Sequence, residues 1–129
     1  MNNMIALIIL LALLQYGYFT YRVGQLRSKY GVPAPKCTGN ETWERVFRVQ
    51  QNTLEQLIVF VPGMLLFAQY VSVRWALLPG VVFLVGRAVY SYLYINSPGK
   101  RSPGAFMTLA SNAVLLIGSL IGVGMSLMA

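Results

Sequence analysis

Four long apolar runs alternate with short polar stretches along this chain, over residues 3–21, 42–71, 75–94 and 103–128. A helix that crosses a bilayer needs about 20 mostly apolar residues, so each run predicts a spanning helix. The first has no positive charge ahead of it and no small-residue cleavage site behind it, so it reads as a retained helix and not a signal peptide. The second opens as a polar helix at its N-terminal end, and Pro62-Gly63 predicts a bend near its middle. Pro79-Gly80 falls in the first turns of the third, and Pro103 suits the start of the fourth. Pro33, Pro35, Gly39 and Asn40 interrupt the chain between the first two helices. No internal repeat or low-complexity tract intervenes. The expectation is an all-α, four-helix bundle in the membrane, one domain over residues 1–129.

Composition agrees with that pattern. Of 129 residues, 57% are hydrophobic and 10% charged, against roughly 25% charged in soluble domains. There is no histidine, no aspartate and one cysteine, which removes catalytic triads, His/Cys zinc sites and internal disulfides. No metal site is expected. Cys37 lies in a polar loop with no histidine to activate it.

The net charge of +7 is concentrated in loops. Arg22, Arg27, Lys29 and Lys36 lie between the first and second apolar runs, with Arg45 and Arg48 in the polar opening of the second, and Lys100 and Arg101 lie between the third and fourth. Only Arg74 lies between the second and third, and the termini carry no charged side chain. The positive-inside rule places the first and third loops in the cytoplasm and both termini on the opposite side. Tyr16, Tyr18, Phe19, Tyr21 and Trp75 stand where interfacial aromatic belts form. Membrane lipids are expected partners. Nucleic acid is not, because no basic helix or aromatic-basic surface lies outside the apolar runs.

Charge inside the apolar runs points to chemistry. Arg45, Arg48, Asn52 and Glu55 recur at i, i+3, i+7 and i+10, one stripe of a helix, and Glu55 is the only acid past the polar opening of that helix, with Glu41 and Glu44 just upstream. Charges at membrane depth are costly and normally face the bundle interior or a polar cavity. Arg87, Tyr90 and Tyr94 line one face of the third helix and lead to Lys100, Arg101 and Ser102 at the same membrane face. Plainer roles exist for each. Arg87 and Glu55 can neutralise one another between helices, Tyr90 and Tyr94 can anchor the interface, and Arg101 can fix topology. Arg48, Asn52 and Glu55 together favour a ligand site. Guanidinium groups suit carboxylates, the carboxylate suits an ammonium, and the amide and phenols suit peptide atoms. That inventory matches a small zwitterionic peptide with excess negative charge, beside walls that admit an apolar second substrate.

The run from Arg45 to Glu55 resembles the signature of the membrane-associated proteins in eicosanoid and glutathione metabolism: an arginine, three residues, an asparagine, two residues and a glutamate. Gly86-Arg87-Ala88-Val89-Tyr90 and Gly99-Lys100-Arg101-Ser102-Pro103-Gly104-Ala105 resemble the family's third helix and following loop. Gln51-Asn52-Thr53-Leu54-Glu55 and Lys100-Arg101-Ser102 look most like the third microsomal glutathione transferase type. The resemblance implies a homotrimer that binds glutathione as co-substrate between protomers. It implies that Arg48, Asn52, Glu55, Tyr90, Tyr94 and Arg101 hold glutathione from one protomer, with Arg27 and Gln50 reaching from a neighbour. Arg101 matches the family's catalytic arginine, which holds the sulfur as thiolate for attack on a hydrophobic or lipid electrophile, or on a lipid hydroperoxide. Ser102 can donate to that sulfur or cap the fourth helix. Gln56 departs from the tyrosine of leukotriene C synthase, and Ser28 from its second arginine. Both departures favour a transferase or peroxidase of broader specificity.

Gly118 and Gly122 on the fourth helix suit either close packing within the protomer or oligomerisation. Two other readings stand beside the enzyme. One is a non-enzymatic lipid-binding adaptor of the same family, which the joint presence of Arg48, Asn52, Glu55, Tyr94 and Arg101 disfavours. The other is a small multidrug exporter, whose essential glutamate belongs in the first helix, where this chain has only Gln15.

Overall fold

The computed structural model describes all 129 residues and contains helices and no strands. Helix α1 spans Asn3–Tyr30, α2 Glu41–Tyr70, α3 Val73–Asn96 and α4 Ser102–Met128, with a single 3₁₀ turn, Pro98–Lys100, before α4. All four helices are long and apolar enough to cross a membrane. The apolar run marks only part of α1. The helix continues past Tyr21 through Arg22, Arg27 and Lys29, because polar residues with good helix propensity extend it beyond the hydrophobic boundary.

Side-chain caps set the helix starts. Asn2 accepts from the Met4 and Ile5 amides, Asn40 from Trp43 and Ser72 from Trp75. Helix α1 ends at Gly31, whose φ of 68° is the left-handed conformation glycine adopts without penalty. Pro62 and Pro79 lie inside α2 and α3 and end neither helix. Ser102 does not cap α4. It is the first helical residue, and the preceding position is Arg101, which makes no side-chain cap.

Ile5, Ile8 and Ala12 of α1, Phe60 and Met64 of α2, Phe83 of α3 and Leu115 of α4 form a central core, with Phe60 and Phe83 stacked at 3.8 Å. Nearer the charged end, Phe19 is buried against Val49 and Tyr90, so it is a packing residue and not a belt aromatic. Trp43 donates to the Val23 carbonyl at 3.0 Å and lies 4.5 Å from the Arg27 guanidinium, fastening the extension of α1 to the start of α2.

Small residues let α4 approach its neighbours. A Cβ on Gly118 would meet the Phe67 ring at 2.5 Å, and one on Gly122 would meet the Tyr70 carbonyl oxygen at 2.7 Å. This pair therefore packs α4 against α2 within the protomer. Gly104 is tighter still, since its Cβ would collide with the Tyr90 backbone nitrogen and Cα. Backbone cannot swing aside as a side chain can. We expect Gly104→Ala to force α3 and α4 apart and to cost about 1–3 kcal/mol, read as a lowered thermal midpoint in detergent. An unchanged midpoint would mean that this contact is not tight in the membrane protein.

Candidate functional site

The polar ends of α2, α3 and α4 enclose a cavity of about 370 Å³ lined by Arg48, Asn52 and Gln56, by Arg87, Tyr90 and Tyr94, and by Arg101, Ala105, Thr108 and Leu109. Helical periodicity explains the convergence. Residues 48, 52 and 56 follow at i, i+4 and i+8 on α2, and residues 87, 90 and 94 at i, i+3 and i+7 on α3. The close α3–α4 crossing at Gly104 then brings Arg101 and Thr108 against that α3 face.

Arg87 is the structural centre of the site. It is 1% exposed. One terminal nitrogen, Nη2, donates to Asn52 Oδ1 at 2.8 Å and to Thr53 Oγ1 at 2.9 Å. The other, Nη1, donates to Thr108 Oγ1 at 3.3 Å, and the guanidinium carbon lies 4.5 Å from the Tyr90 ring centroid. A buried cation thus ties α2, α3 and α4 together without a carboxylate partner. The Arg87–Glu55 pair, one of the plainer roles open to these residues, does not form. Glu55 meets Arg48 instead, at 3.5 Å, because the two are a pair of turns apart on α2 while Arg87 faces inward.

The Arg48–Glu55 pair lies on the outside of the protomer, with its side chains 48% and 56% exposed. The stripe read from the sequence is therefore a lateral surface and not a buried one. Arg45 leaves that stripe and binds the Ile95 carbonyl at 3.2 Å, joining α2 to the end of α3. Tyr90 and Tyr94 stack with centroids 5.4 Å apart, and the Arg101 guanidinium lies 5.7 Å from the Tyr94 ring. These tyrosines are cavity walls and not interfacial anchors.

Arg27 and Gln50 lie outside this cavity. Arg27 donates to the Val32 and Lys36 carbonyls and holds the α1–α2 loop, while Gln50 donates to the Tyr16 hydroxyl at 3.1 Å. Thr53 and Thr108 were not singled out by the sequence, since single threonines in apolar runs carry no distinguishing spacing. Gln56 was noted only as a departure from a relative, and Asn112 not at all. Asn112 nevertheless binds Gln56 across the α2–α4 interface.

In chemical terms the cavity lining is rich in hydrogen-bond donors and cations and holds no carboxylate; Glu55 reaches it only through Arg48, its partner on the lateral surface. Such a lining favours a ligand with more acceptors and negative charge than donors.

Comparisons with known proteins show which family this chain resembles along its length. The chain is 44% identical over 118 residues to an uncharacterised protein of Synechocystis, covering 92% of this chain and 86% of the relative. It is 32% identical over 123 residues to microsomal glutathione S-transferase 2 of Homo sapiens, covering 95% and 84%. It is also 32% identical over 98 residues to leukotriene C4 synthase of Cavia porcellus, covering 76% and 65%. The model of the MAPEG family matches residues 5–121. With four membrane-length apolar helices and a family match over nearly its whole length, this chain is an integral, multi-pass membrane protein that belongs to the MAPEG family.

Proposed function

We propose that this protein is a membrane glutathione transferase that activates the glutathione thiolate for attack on hydrophobic electrophiles and on lipid hydroperoxides. The observation that carries this reading is the cavity shared by α2, α3 and α4. It gathers Arg48, Asn52, Tyr90, Tyr94 and Arg101 around one space, with Glu55 at its edge. Glutathione presents two carboxylates, one ammonium, two peptide groups and a thiol. Arg48 receives a carboxylate, Glu55 the ammonium, and Asn52 and the two phenols the remaining polar atoms. Arg101 holds the sulfur. A free thiol titrates near 8.5, and an adjacent permanent cation lowers that value by favouring the anion.

The thiolate displaces a leaving group, GS⁻ + R–X → GS–R + X⁻. With a hydroperoxide it attacks the terminal oxygen, GS⁻ + ROOH + H⁺ → GSOH + ROH, and a second glutathione completes the cycle, GSOH + GSH → GSSG + H₂O. No metal takes part in either route.

The half-exposed Arg48–Glu55 pair on a membrane-embedded helix supports association with a neighbouring copy, because that copy and the ligand would together cover charges that lipid cannot solvate; a homotrimer is the assembly the family resemblance implies. Arg27 and Gln50 of that neighbour complete the site. Arg27 keeps Nε and Nη2, and Gln50 keeps Oε1, free of the intramolecular bonds described above. The basic α1–α2 and α3–α4 connections support a cytoplasmic position for the glutathione cavity, with both termini opposite.

The test is glutathione-dependent conjugation of an activated aryl halide by the detergent-purified protein. Glu55→Gln is expected to raise the KM for glutathione about tenfold or more, the loss of one charge-assisted hydrogen bond. An unchanged KM would remove Glu55 from the binding set. Complete absence of conjugation in the natural sequence would favour the lipid-binding adaptor.

A further inference from the structure

The hydrogen bonds between α2 and α4 fix the direction of one side-chain amide in the cavity. Asn112 is 5% exposed. Its Nδ2 donates to the Gln56 backbone carbonyl at 3.3 Å and to Gln56 Oε1 at 3.0 Å. A backbone carbonyl only accepts, so it requires the nitrogen of Asn112 on that side. With the Asn112 donor fixed, the Gln56 side chain must turn its oxygen toward Asn112. Its Nε2 hydrogens are thereby turned away from Asn112, on a residue that lines the cavity.

Asn52, one turn earlier on α2, is fixed by the same logic. Arg87 can only donate, so Asn52 Oδ1 faces Arg87 and its Nδ2 is left for the ligand. Asn52 lies on the Arg48 side of the cavity. Gln56 lies one turn further along α2, and Ala105, Thr108 and Leu109 of α4 line the same cavity. Ala105 and Leu109 give this cavity apolar lining next to its polar groups, so an apolar second substrate seated on them would come within reach of the amide.

We propose that Gln56, oriented by Asn112, sets substrate specificity by donating a hydrogen bond to an oxygen of the second substrate. The favoured class is electrophiles whose reaction builds negative charge on oxygen, namely organic hydroperoxides and α,β-unsaturated carbonyls. This rests on the transferase reading above. When the thiolate attacks the terminal oxygen of ROOH, the O–O bond breaks and its electron pair moves to the RO oxygen. That oxygen is then protonated to ROH by water. With an enone, the sulfur bonds to the β carbon, the electron pair moves to the carbonyl oxygen, and a proton from water restores the carbonyl product. A fixed N–H aimed at the oxygen is worth more in the transition state than in the bound substrate, and needs no reorganisation as charge develops. An alkyl halide, whose leaving group is a weak acceptor, gains little from the same donor. Asn112 acts as a positioning residue, since it touches Gln56 and is absent from the cavity lining.

The experiment compares kcat/KM for cumene hydroperoxide, a long-chain enone and iodohexane in the natural protein and three variants. Gln56→Met removes the donor at similar size. Gln56→Glu keeps an oxygen for Asn112 and replaces the cavity-facing nitrogen with a second oxygen. Asn112→Leu frees the amide to rotate. The expected result is a tenfold or greater fall in the ratio of oxygen-electrophile to iodohexane kcat/KM with both Gln56 variants, and a smaller fall with Asn112→Leu. Equal losses on all three substrates, or ratios that stay constant, would overturn the proposal. A natural protein inactive toward every substrate would instead refute the transferase reading on which it rests.

Discussion

Arg101→Ala is expected to lower kcat/KM for thiolate attack by about 100- to 1000-fold, the loss typical when one preorganised charge-stabilising group is removed. Arg101 stands between the 3₁₀ turn and the first residue of α4, where its guanidinium leans toward the Tyr94 ring. Two sources of positive potential therefore coincide. One is the guanidinium, which stays protonated at any working pH. The other is the start of α4, whose first-turn N–H groups have no partners within the helix, and which has no side-chain cap. A sulfur anion brought there is stabilised by both, while a neutral thiol gains little.

The sign of the pH effect follows. With Arg101 present, the bound thiol is expected to lose its proton below the free value near 8.5. Without it, that pKa rises back toward the free value, and the rising limb of the pH–rate profile moves to higher pH. Raising the pH therefore partly restores the variant relative to the natural protein. Arg101→Lys keeps a charge but loses the planar fork, and is expected to fall between the two. A variant with the same pH limb as the natural protein would show that Arg101 does not act on the sulfur.

Arg87→Lys is expected to impair both stability and glutathione binding, although it keeps the charge. The guanidinium reaches Asn52 and Thr53 on α2 and Thr108 on α4 with two terminal nitrogens. An ammonium on a shorter stem is a single point and cannot bridge acceptors on both helices. The substitution leaves at least one buried acceptor without its donor, at about 1–3 kcal/mol. It also frees Asn52 to turn its oxygen toward the cavity. We expect a lower thermal midpoint together with a glutathione KM raised about tenfold, since the ligand loses the fixed Asn52 donor. Calorimetry and initial-rate kinetics on the same preparation check both. A lowered midpoint with unchanged KM would limit Arg87 to a structural role.

Much of the scaffold is written in the order of residues. Apolar runs longer than a bilayer is thick leave few alternatives, and capping residues such as Asn40 and Ser72 mark where α2 and α3 begin. The stripe of Arg48, Asn52 and Glu55 was legible because helical periodicity operates within one element. What periodicity does not contain is which face meets which neighbour. Arg87 and Glu55 are opposite charges on adjacent helices, yet the rotation of α3 about its axis turns Arg87 inward toward threonines, while Glu55 stays on the lateral surface. The Asn112–Gln56 contact was invisible for the same reason, since 56 residues of chain separate its partners and neither is charged. Phe19 was misread because an aromatic near a membrane boundary has the same sequence signature whether it faces lipid or Val49. The roles of Gly118 and Gly122 were open in the sequence and are resolved by the α2 atoms that a Cβ would strike.

The central claim is that this cavity binds glutathione and holds it as a thiolate. The most direct test is the ultraviolet difference spectrum of the detergent-purified protein titrated with glutathione near neutral pH, with Arg101→Ala alongside. A saturable thiolate band in the natural protein, lost in the variant while glutathione still binds by calorimetry, is the predicted result. Glutathione binding with no thiolate band in the natural protein would contradict thiolate activation, and no glutathione binding at all would contradict the site itself.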